Sequence, residues 1–573
     1  VLQQKSSVRL WGWAAPGEKI TIKTSWDNAS YQTQASNDAK WLTEIKTPEA
    51  GGSYSITLQG NNTIELEDVL IGEVWVCGGQ SNMEWSGTQK LPQSLEEAPN
   101  ARNNKIRLFY VSKSTSAFPQ DNLDGKWVVC SPEEMIKFSA IGYFFGKNLN
   151  EKMNVPVGLI NSNWGGTPAE TWTPEFVINN NSIIKKGAAE LKSQPGWPHQ
   201  TALAYNAMIY PLTNYSIAGA IWYQGESNTD TSYQFYASRF NQLYNFWKAD
   251  YAGLNRIFVI QTRPGCILGT PYAYHQHMRE VTRSLVQQYN DITLMSSVGI
   301  PNFDGCHFLS TGYNQLGTQL YYQVMRDVYG QSQPAEIDAA MPLSASFVNS
   351  SNTLLALRMS QNLTWPAVLN GNDLLNYFYF DQPGVNVVNG WTSNDTIYLE
   401  LNTSSFAGKV TYLPGVYYNG TSQIYQGPWL LNNRGIGAMS FHEFPISNQI
   451  TLTANGSALL CQGDSILLGS DKTGFSYQWN LNGSPLSGKT GTGLWVIASG
   501  DYSVTLTDMN GSSVTSNTLS VLQNSLPPVG INASANQICE GDTAWLNATQ
   551  AMSWIWSDGS FVQSIPAISE GWY

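Results

Sequence analysis

The sequence predicts a multidomain chain in which one α/β domain with a parallel sheet is flanked on both sides by all-β segments. Three observations carry this expectation. Between residues 71 and 332 short apolar runs alternate with helical stretches, the pattern of a parallel sheet with crossover helices. Before 70 and after 333 the apolar and polar residues alternate in short runs between Gly- and Asn-rich turns, as in antiparallel β structure. From about residue 449 a set of short motifs recurs, which marks repeated modules. A length of 573 residues agrees with this, since about three to five domains are expected at roughly 150 residues each.

In the first segment, 1–70, Val8-Arg9-Leu10-Trp11-Gly12-Trp13, Lys19-Ile20-Thr21-Ile22-Lys23 and Tyr54-Ser55-Ile56-Thr57-Leu58 read as strands. Short strands over so few residues make a small core. This segment is therefore expected to pack on the domain that follows or on a later β segment. In 71–332 the first strand is the run ending Val74-Trp75-Val76-Cys77, and the later ones are 157–160, 219–223, 257–260 and 292–295. Helical patterns cover 138–153, 231–251, 274–290 and 315–329. Residues 333–448 return to short β runs.

The repeat then begins. Leu460-Cys461-Gln462-Gly463-Asp464 recurs as Ile538-Cys539-Glu540-Gly541-Asp542, and Ser476-Tyr477-Gln478-Trp479 as Ser553-Trp554-Ile555-Trp556. Ser499-Gly500-Asp501-Tyr502 recurs as Glu570-Gly571-Trp572-Tyr573. Each copy reads as an immunoglobulin-like β-sandwich around a core Trp, the first over 449–524 and the second, partial, over 525–573. The second copy stops before its last strands, so the natural chain is expected to run on.

Composition narrows the function. Charged residues make up 13%, against about 25% in an average globular protein, while Trp and Tyr number 21 and 29. A formal charge of −12 with no basic stripe excludes a nucleic-acid partner. No apolar run reaches the ~18 residues of a membrane helix. Few charges with many aromatics and many Asn, Ser, Thr and Gly suit a secreted protein that handles carbohydrate. The chain opens directly in Val1-Leu2-Gln3-Gln4, which reads as a trimmed or mature start.

The six cysteines form no CxxC pair and no zinc-type Cys/His cluster, so no metal site is expected. Cys461 and Cys539 occupy equivalent positions of the two repeats and are not expected to pair with each other. Cys266 and Cys306 each follow a strand of the α/β domain and are candidates for a bridge near its mouth; the alternative is two buried thiols.

The candidate chemistry lies in the loops after the strands. Gly78-Gly79-Gln80-Ser81-Asn82-Met83-Glu84-Trp85 puts Ser81 on a sharp strand-to-helix turn, with its hydroxyl exposed at the carboxyl end of a sheet. Alone this is as well explained by a glycine turn with a serine cap. Asn161-Ser162-Asn163-Trp164-Gly165-Gly166-Thr167 offers backbone N–H groups that approach a ligand closely. Gln224-Gly225-Glu226-Ser227-Asn228 brings an amide and a carboxylate around a tight turn. Asp304-Gly305-Cys306-His307 spaces an Asp three residues before a His, so that the carboxylate takes the Nδ1 proton and leaves Nε2 to act as base on a serine. Singly, His307 reads as a structural histidine and 224–226 as turn chemistry. Together, at the same end of one sheet, the four loops supply nucleophile, base, orienting acid and oxyanion donors. Met83 stands where the last glycine of a GxSxG elbow would be, so the α/β-hydrolase fold is not the one expected.

At these residues the sequence resembles the SGNH/GDSL hydrolases, and within them the sialate O-acetylesterase family. Gly79-Gln80-Ser81-Asn82-Met83 is similar to that family's serine block, and Trp164-Gly165-Gly166-Thr167 to its glycine block. Trp222-Tyr223-Gln224-Gly225-Glu226-Ser227-Asn228 is similar to the third block and Asp304-Gly305-Cys306-His307 to the final DxxH. The opening Val1-Leu2-Gln3-Gln4 with Trp11-Gly12-Trp13, and Tyr205-Asn206-Ala207-Met208-Ile209, also fit. The resemblance covers about 1–330, plausibly to 448. The C-terminal modules resemble the immunoglobulin-like or PKD-like domains appended to secreted proteins of the Bacteroidetes.

The resemblance implies a three-layer SGNH hydrolase that removes O-acetyl groups from sugars without a metal or organic cofactor. It implies Ser81 as nucleophile and His307 as base. Asp304 is the preferred orienting acid and Glu226 the alternative. The implied oxyanion donors are the N–H groups of Ser81 and Gly165 with the side-chain amide of Gln224, which stands where the superfamily usually has Asn. Gln80, Asn82, Trp164 and Arg263 are the candidate substrate-binding residues. Arg263 is the candidate partner of a sialate carboxylate. An acetylxylan or other plant-polysaccharide substrate would instead use an aromatic cleft, for which Trp164, Trp172 and Trp197 are available. A reading from another class is a carbohydrate-binding or adhesion protein with an inert hydrolase domain, which the intact Ser81, Asp304 and His307 oppose. Oligomeric state is not legible.

Overall fold

A 17-residue strand, Thr63–Gly79, organises the larger part of the molecule. Its first residues are exposed and pair antiparallel with Gly51–Gln59, whereas from Leu70 onward it is buried and becomes the middle of a second sheet. The computed structural model describes residues 1–573 apart from 192–193, 252, 265, 267–273, 286, 414–424, 526–527, 552 and 573. Tyr573, the last residue of the repeat motif, thus lies outside the described residues. Residues 1–348, 353–403 and 407–447 form one compact unit, and 349–352, 404–406 and 448–573 another.

In the first unit the central sheet runs Ile292–Met295, Arg256–Ile260, Gly219–Tyr223, Thr63–Gly79, Val157–Asn163, Asn103–Val111, Gly125–Cys130. All neighbours are parallel except the last pair. Trp75, Cys77, Leu159, Ile221 and Phe258 enter one hydrophobic core with the helices Ala140–Met153 and Gly312–Asp327. Val74, Val76, Ile160, Trp222 and Val259 enter another with the helices Tyr236–Asp250 and His275–Leu285. The alternation follows from the period of two along a strand, and two buried faces explain why these strands read as near-continuous apolar runs.

Two strands, Asn103–Val111 and Gly125–Cys130, were not separated in the sequence pattern. They are the last two strands on one side of the sheet and mix charged with apolar residues, so they lack the uniform apolar signature of the central strands. The stretch read as a helix over 231–251 divides into a 3-10 turn, Thr231–Phe235, and the α-helix Tyr236–Asp250.

The N-terminal strands pack around Val8, Ile20, Ile22, Ile45 and Ile56. Ser7–Trp13 pairs with Lys40–Lys46, and Lys19–Thr24 lies between Ser30–Gln34 and Gly51–Gln59. After the central sheet, a four-stranded and a three-stranded antiparallel sheet enclose Leu355, Leu357, Ile397, Leu399 and Val410.

The second unit has its own core around fully buried Trp479, between the sheet containing Ser476–Leu481 and Gly500–Thr507 and the sheet of Leu452–Ala454, Ile466–Ser470 and Gly493–Val496. Three further strands, Ile531–Ala533, Ala544–Ala548 and Ser564–Ala567, form a separate sheet. Cys461 and Cys539 are both exposed free thiols. Among the described residues, no helix is long and apolar enough to cross a membrane.

Candidate active site

The central strand ends at Gly79, whose φ is +139° and whose absent side chain leaves room for the Tyr223 carbonyl; a Cβ there would lie 2.1 Å from that oxygen. Only glycine allows the chain to turn here. The next N–H, of Gln80, donates to the same carbonyl at 3.0 Å, and the short helix Ser81–Glu84 begins. Ser81 is its first residue, and the N–H groups of a first helical turn have no partner within the helix.

Across the mouth of the sheet, Asp304 and His307 sit in a tight loop closed by the bridge between Phe303 and Phe308. His307 Nε2 is 3.0 Å from Ser81 Oγ, and its Nδ1 is 3.1 Å from Asp304 Oδ2. With the ring proton on Nδ1 donated to Asp304, Nε2 accepts from the serine hydroxyl. The other carboxylate oxygen, Oδ1, accepts from the N–H groups of Cys306 at 2.8 Å and His307 at 2.7 Å. Burial opposes ionisation of Asp304, but its bonds to His307 and to the two backbone N–H groups outweigh burial and hold the carboxyl down at about 2.

Three further contacts fix the loop. A disulfide joins Cys306 to Cys266. Arg263 donates to the Gly305 carbonyl at 2.8 Å. Trp85 lies flat on the His307 ring, centroids 3.9 Å apart and planes 8° from parallel.

Glu226, the alternative orienting acid, is buried beneath the serine loop. Its Oε1 accepts from Asn82 Nδ2 at 2.7 Å, and desolvation raises its pKa. The structure gives the His307 Nδ1 bond to Asp304.

The glycine loop reaches Ser81 closely: a Cβ on Gly165 would stand 3.2 Å from the Ser81 Cβ. The Gly165 N–H donates at 2.5 Å to Glu84 Oε2, whose other oxygen pairs with Lys113 at 2.6 Å. Nothing in the sequence pattern marks this contact with Gly165, although Glu84 lies three residues after the serine on the same helical turn.

Several expected contacts take a different form. Gln224 is fully buried, and its amide nitrogen is committed to Gln80 Oε1, the Thr167 carbonyl and Asn228 Oδ1. It ties the third loop to the glycine loop. Gln80 Oε1 accepts from Gln224 and from the N–H groups of Gly225 and Ser227. Asn82 bridges Glu226 and the Tyr313 hydroxyl. Both side chains are buried scaffold, not substrate contacts.

Arg263 is buried against Phe303 and spends its guanidinium on the Pro264, Gly305 and Tyr425 carbonyls; burial lowers it to about 9. It anchors the loop and is not presented to a substrate. Trp172 is fully buried. Trp164 is half-buried with Lys113 over its ring, and Trp197 lies across Gly166.

Beneath the site, Asn228 links Gln224 and the Ala169 N–H to Glu170, which forms an ion pair with Arg239. Both charged side chains are fully buried. This pair was not legible because its members lie far apart in sequence, on a 3-10 turn and an α-helix. Among the described residues no cluster of three or more His, Cys, Asp or Glu stands in position to hold a metal ion.

Residues 71–326 match the model of the SASA family, described as carbohydrate esterase, sialic acid-specific acetylesterase. This stretch is a SASA-family domain. The chain is 29% identical over 266 residues to the sialate O-acetylesterases of Pongo abelii and Homo sapiens, an alignment covering 43% of this chain and 51% of each relative. It therefore spans about half the length of these relatives. The structure is similar to that of a carbohydrate acetylesterase from Xanthomonas citri, with a TM-score of 0.62 and 24% identity over 77% of this chain and 96% of that one. At that identity the likeness establishes a shared fold. The four loops described above all fall inside the SASA domain, and the pair Asp304 and His307 closes it from the C-terminal side.

Proposed function

We propose that this chain removes O-acetyl groups from carbohydrates through an acetyl–serine intermediate. The observation that carries the reading is the hydrogen-bonded series Asp304–His307–Ser81 within a SASA-family domain. Ser81 Oγ attacks the acetyl carbonyl while His307 Nε2 takes its proton. The oxyanion is met by the N–H groups of Ser81 and Gly165, the latter once Glu84 turns aside toward Lys113. His307 then protonates the departing sugar oxygen. Water, deprotonated by His307, releases acetate and restores Ser81. Asp304 keeps the ring oriented and offsets its positive charge throughout. Ser81→Ala tests the reading: 4-nitrophenyl acetate turnover should fall by about 10⁴-fold or more with the fold intact. Turnover near that of the unaltered chain would refute it.

The sugar is a separate question. Sialate is the substrate in the names of the relatives, but Arg263, the residue considered for its carboxylate, is buried and committed to backbone carbonyls. That observation favours a second reading, an uncharged acetylated polysaccharide such as acetylxylan. Acetate release from acetylated sialic acid, acetylxylan and acetylated pectin, assayed side by side, separates the two.

We also read residues 71–332 as a three-layer SGNH hydrolase, with β domains at 1–70 and 333–448 and immunoglobulin-like modules at 449–524 and 525–573. Distinct hydrophobic clusters support the segments 1–70, 333–448 and 449–524, and a separate three-stranded sheet supports the last. The Cys266–Cys306 bridge supports an oxidising compartment, as expected of a secreted, periplasmic or cell-surface protein.

A further inference from the structure

A second cleft of about 410 Å³ lies at the other end of the central sheet. Its walls include Tyr210, just before the strand Gly219–Tyr223, and Asp250, at the end of the helix that precedes Arg256–Ile260. Asp250 precedes the amino end of its strand, whereas Ser81 follows a carboxyl end. None of the residues that line this cleft belongs to the four loops around Ser81. The N-terminal strand Ser7–Trp13 forms the facing wall. Arg9, Trp11 and Trp13 stand at alternate positions and so share one of its faces, beside Leu42 and Lys40 of the paired strand.

We propose that this cleft binds an uncharged pyranose segment of a polysaccharide, separately from the catalytic serine. Three features select that ligand. Trp13 is 52% exposed and Tyr210 39% exposed at the cleft, so flat apolar surface is presented to water where neither folding nor the ester chemistry uses it. The C–H face of a pyranose ring covers such a surface, while its hydroxyl edge needs the polar groups that lie alongside. Those groups are present: Lys40 and Asp121 form an exposed ion pair of 2.6 Å, and Arg9 donates to the Asp250 carbonyl at 3.4 Å.

The charges that line the cleft cancel, Arg9 and Lys40 against Asp121 and Asp250. With no surplus cation, nothing compensates the desolvation of an anionic sugar or a phosphate. A neutral ring incurs no such cost. The choice of a saccharide rests on the acetylesterase reading; the aromatic cleft itself does not. A polymer held here would raise the local concentration of its acetylated units at the other end of the domain without altering the turnover of a small ester.

The test is calorimetric titration of the full chain with xylohexaose, cellohexaose and mannohexaose, with sialyllactose as the anionic control. These sugars carry no acetyl ester and are not consumed. At least one neutral hexasaccharide should bind with a Kd on the order of 10 μM to 1 mM. Trp13→Ala and Tyr210→Ala should each weaken that binding by about tenfold or more, while Trp13→Phe keeps most of it. Turnover of 4-nitrophenyl acetate should be unchanged in all three variants, which also reports that they fold. Failure of every neutral hexasaccharide to bind, binding indifferent to both alanine variants, or tighter binding of sialyllactose would overturn the proposal. Failure of the acetylesterase reading would show separately, as absence of ester turnover in the unaltered chain.

Discussion

Trp85 lies face to face with His307, 8° from parallel at a centroid distance of 3.9 Å, so the residue four places after Ser81 stacks on the imidazole that the Ser81 hydroxyl meets. The short helix Ser81–Glu84 thereby sets both ends of the proton transfer: its first residue carries the hydroxyl, and the residue after its last carries the ring that fixes the imidazole plane. Trp85→Ala should lower kcat about tenfold or more with little change in KM, because a freed ring samples orientations that miss Ser81 Oγ. Trp85→Phe should restore most of the rate. Steady-state kinetics on 4-nitrophenyl acetate checks both.

The orienting acid is decided by a paired comparison. Asp304→Asn should reduce kcat by about 10²–10⁴-fold, since the amide favours the wrong imidazole tautomer and leaves the charged ring uncompensated. Glu226→Gln keeps the hydrogen bond available to Asn82 and should cost far less. With the Asp304 carboxyl held down at about 2, it remains ionised throughout the mildly acid range. Loss of activity between pH 7 and 4 should therefore not report titration of Asp304.

The disulfide is expected to matter for rate as well as stability. It closes a 40-residue separation and ends beside His307, between the two residues that form the Asp–His pair. Cys266→Ser should cost about 3–4 kcal/mol on a chain-entropy account and reduce turnover, because the 304–307 loop loses an anchor. Urea unfolding and kinetics on the same preparation measure the two effects.

Arg239→Ala should destabilise the domain by about 3–5 kcal/mol, because it leaves the Glu170 carboxylate buried without its partner. A change under about 1 kcal/mol in urea unfolding would mean that Glu170 is not held as a charged group.

Much of the site was legible because it is local. Glycines at the end of an apolar strand specify a turn, and an Asp three residues before a His specifies a hydrogen bond; both depend on neighbours in sequence. The parts that sequence reasoning assigned differently depend on which way a side chain faces. Gln224 and Arg263 carry suitable donors, but burial commits the first to Gln80, Thr167 and Asn228 and the second to backbone carbonyls. Arg263 was the harder to read, because a guanidinium is seldom buried and here an aromatic face and three carbonyls surround it. Trp85 and Glu84 stood in the motif from the outset. Their roles needed the fold, which brings 165 and 307 to them. The strands Asn103–Val111 and Gly125–Cys130 escaped for another reason, since their charged residues break the apolar run that marks the central strands.

A pH effect on stability follows from His442. Burial first, and the adjacent His277 second, lower its pKa to about 4 from the usual 6.5. Glu443 acts the other way, while Arg279 and Lys409 add to the lowering. In the unfolded chain this histidine takes up its proton near 6.5, so between 6.5 and about 4 the unfolded state binds the extra proton. Stability should therefore fall as pH drops through that window and level off below it. His442→Gln should flatten the fall, as read from urea midpoints at pH 7, 5.5 and 4.5.

The central claim is that Ser81 carries the acetyl group. Acid quenching during steady-state turnover of 4-nitrophenyl acetate, followed by peptide mapping by mass spectrometry, tests it most directly. The account predicts an acetyl group on the peptide containing Ser81, absent from Ser81→Ala and accumulating when the histidine is replaced in His307→Gln only to the extent that attack still occurs. Acetyl found on another residue, or undiminished turnover in Ser81→Ala, would contradict it.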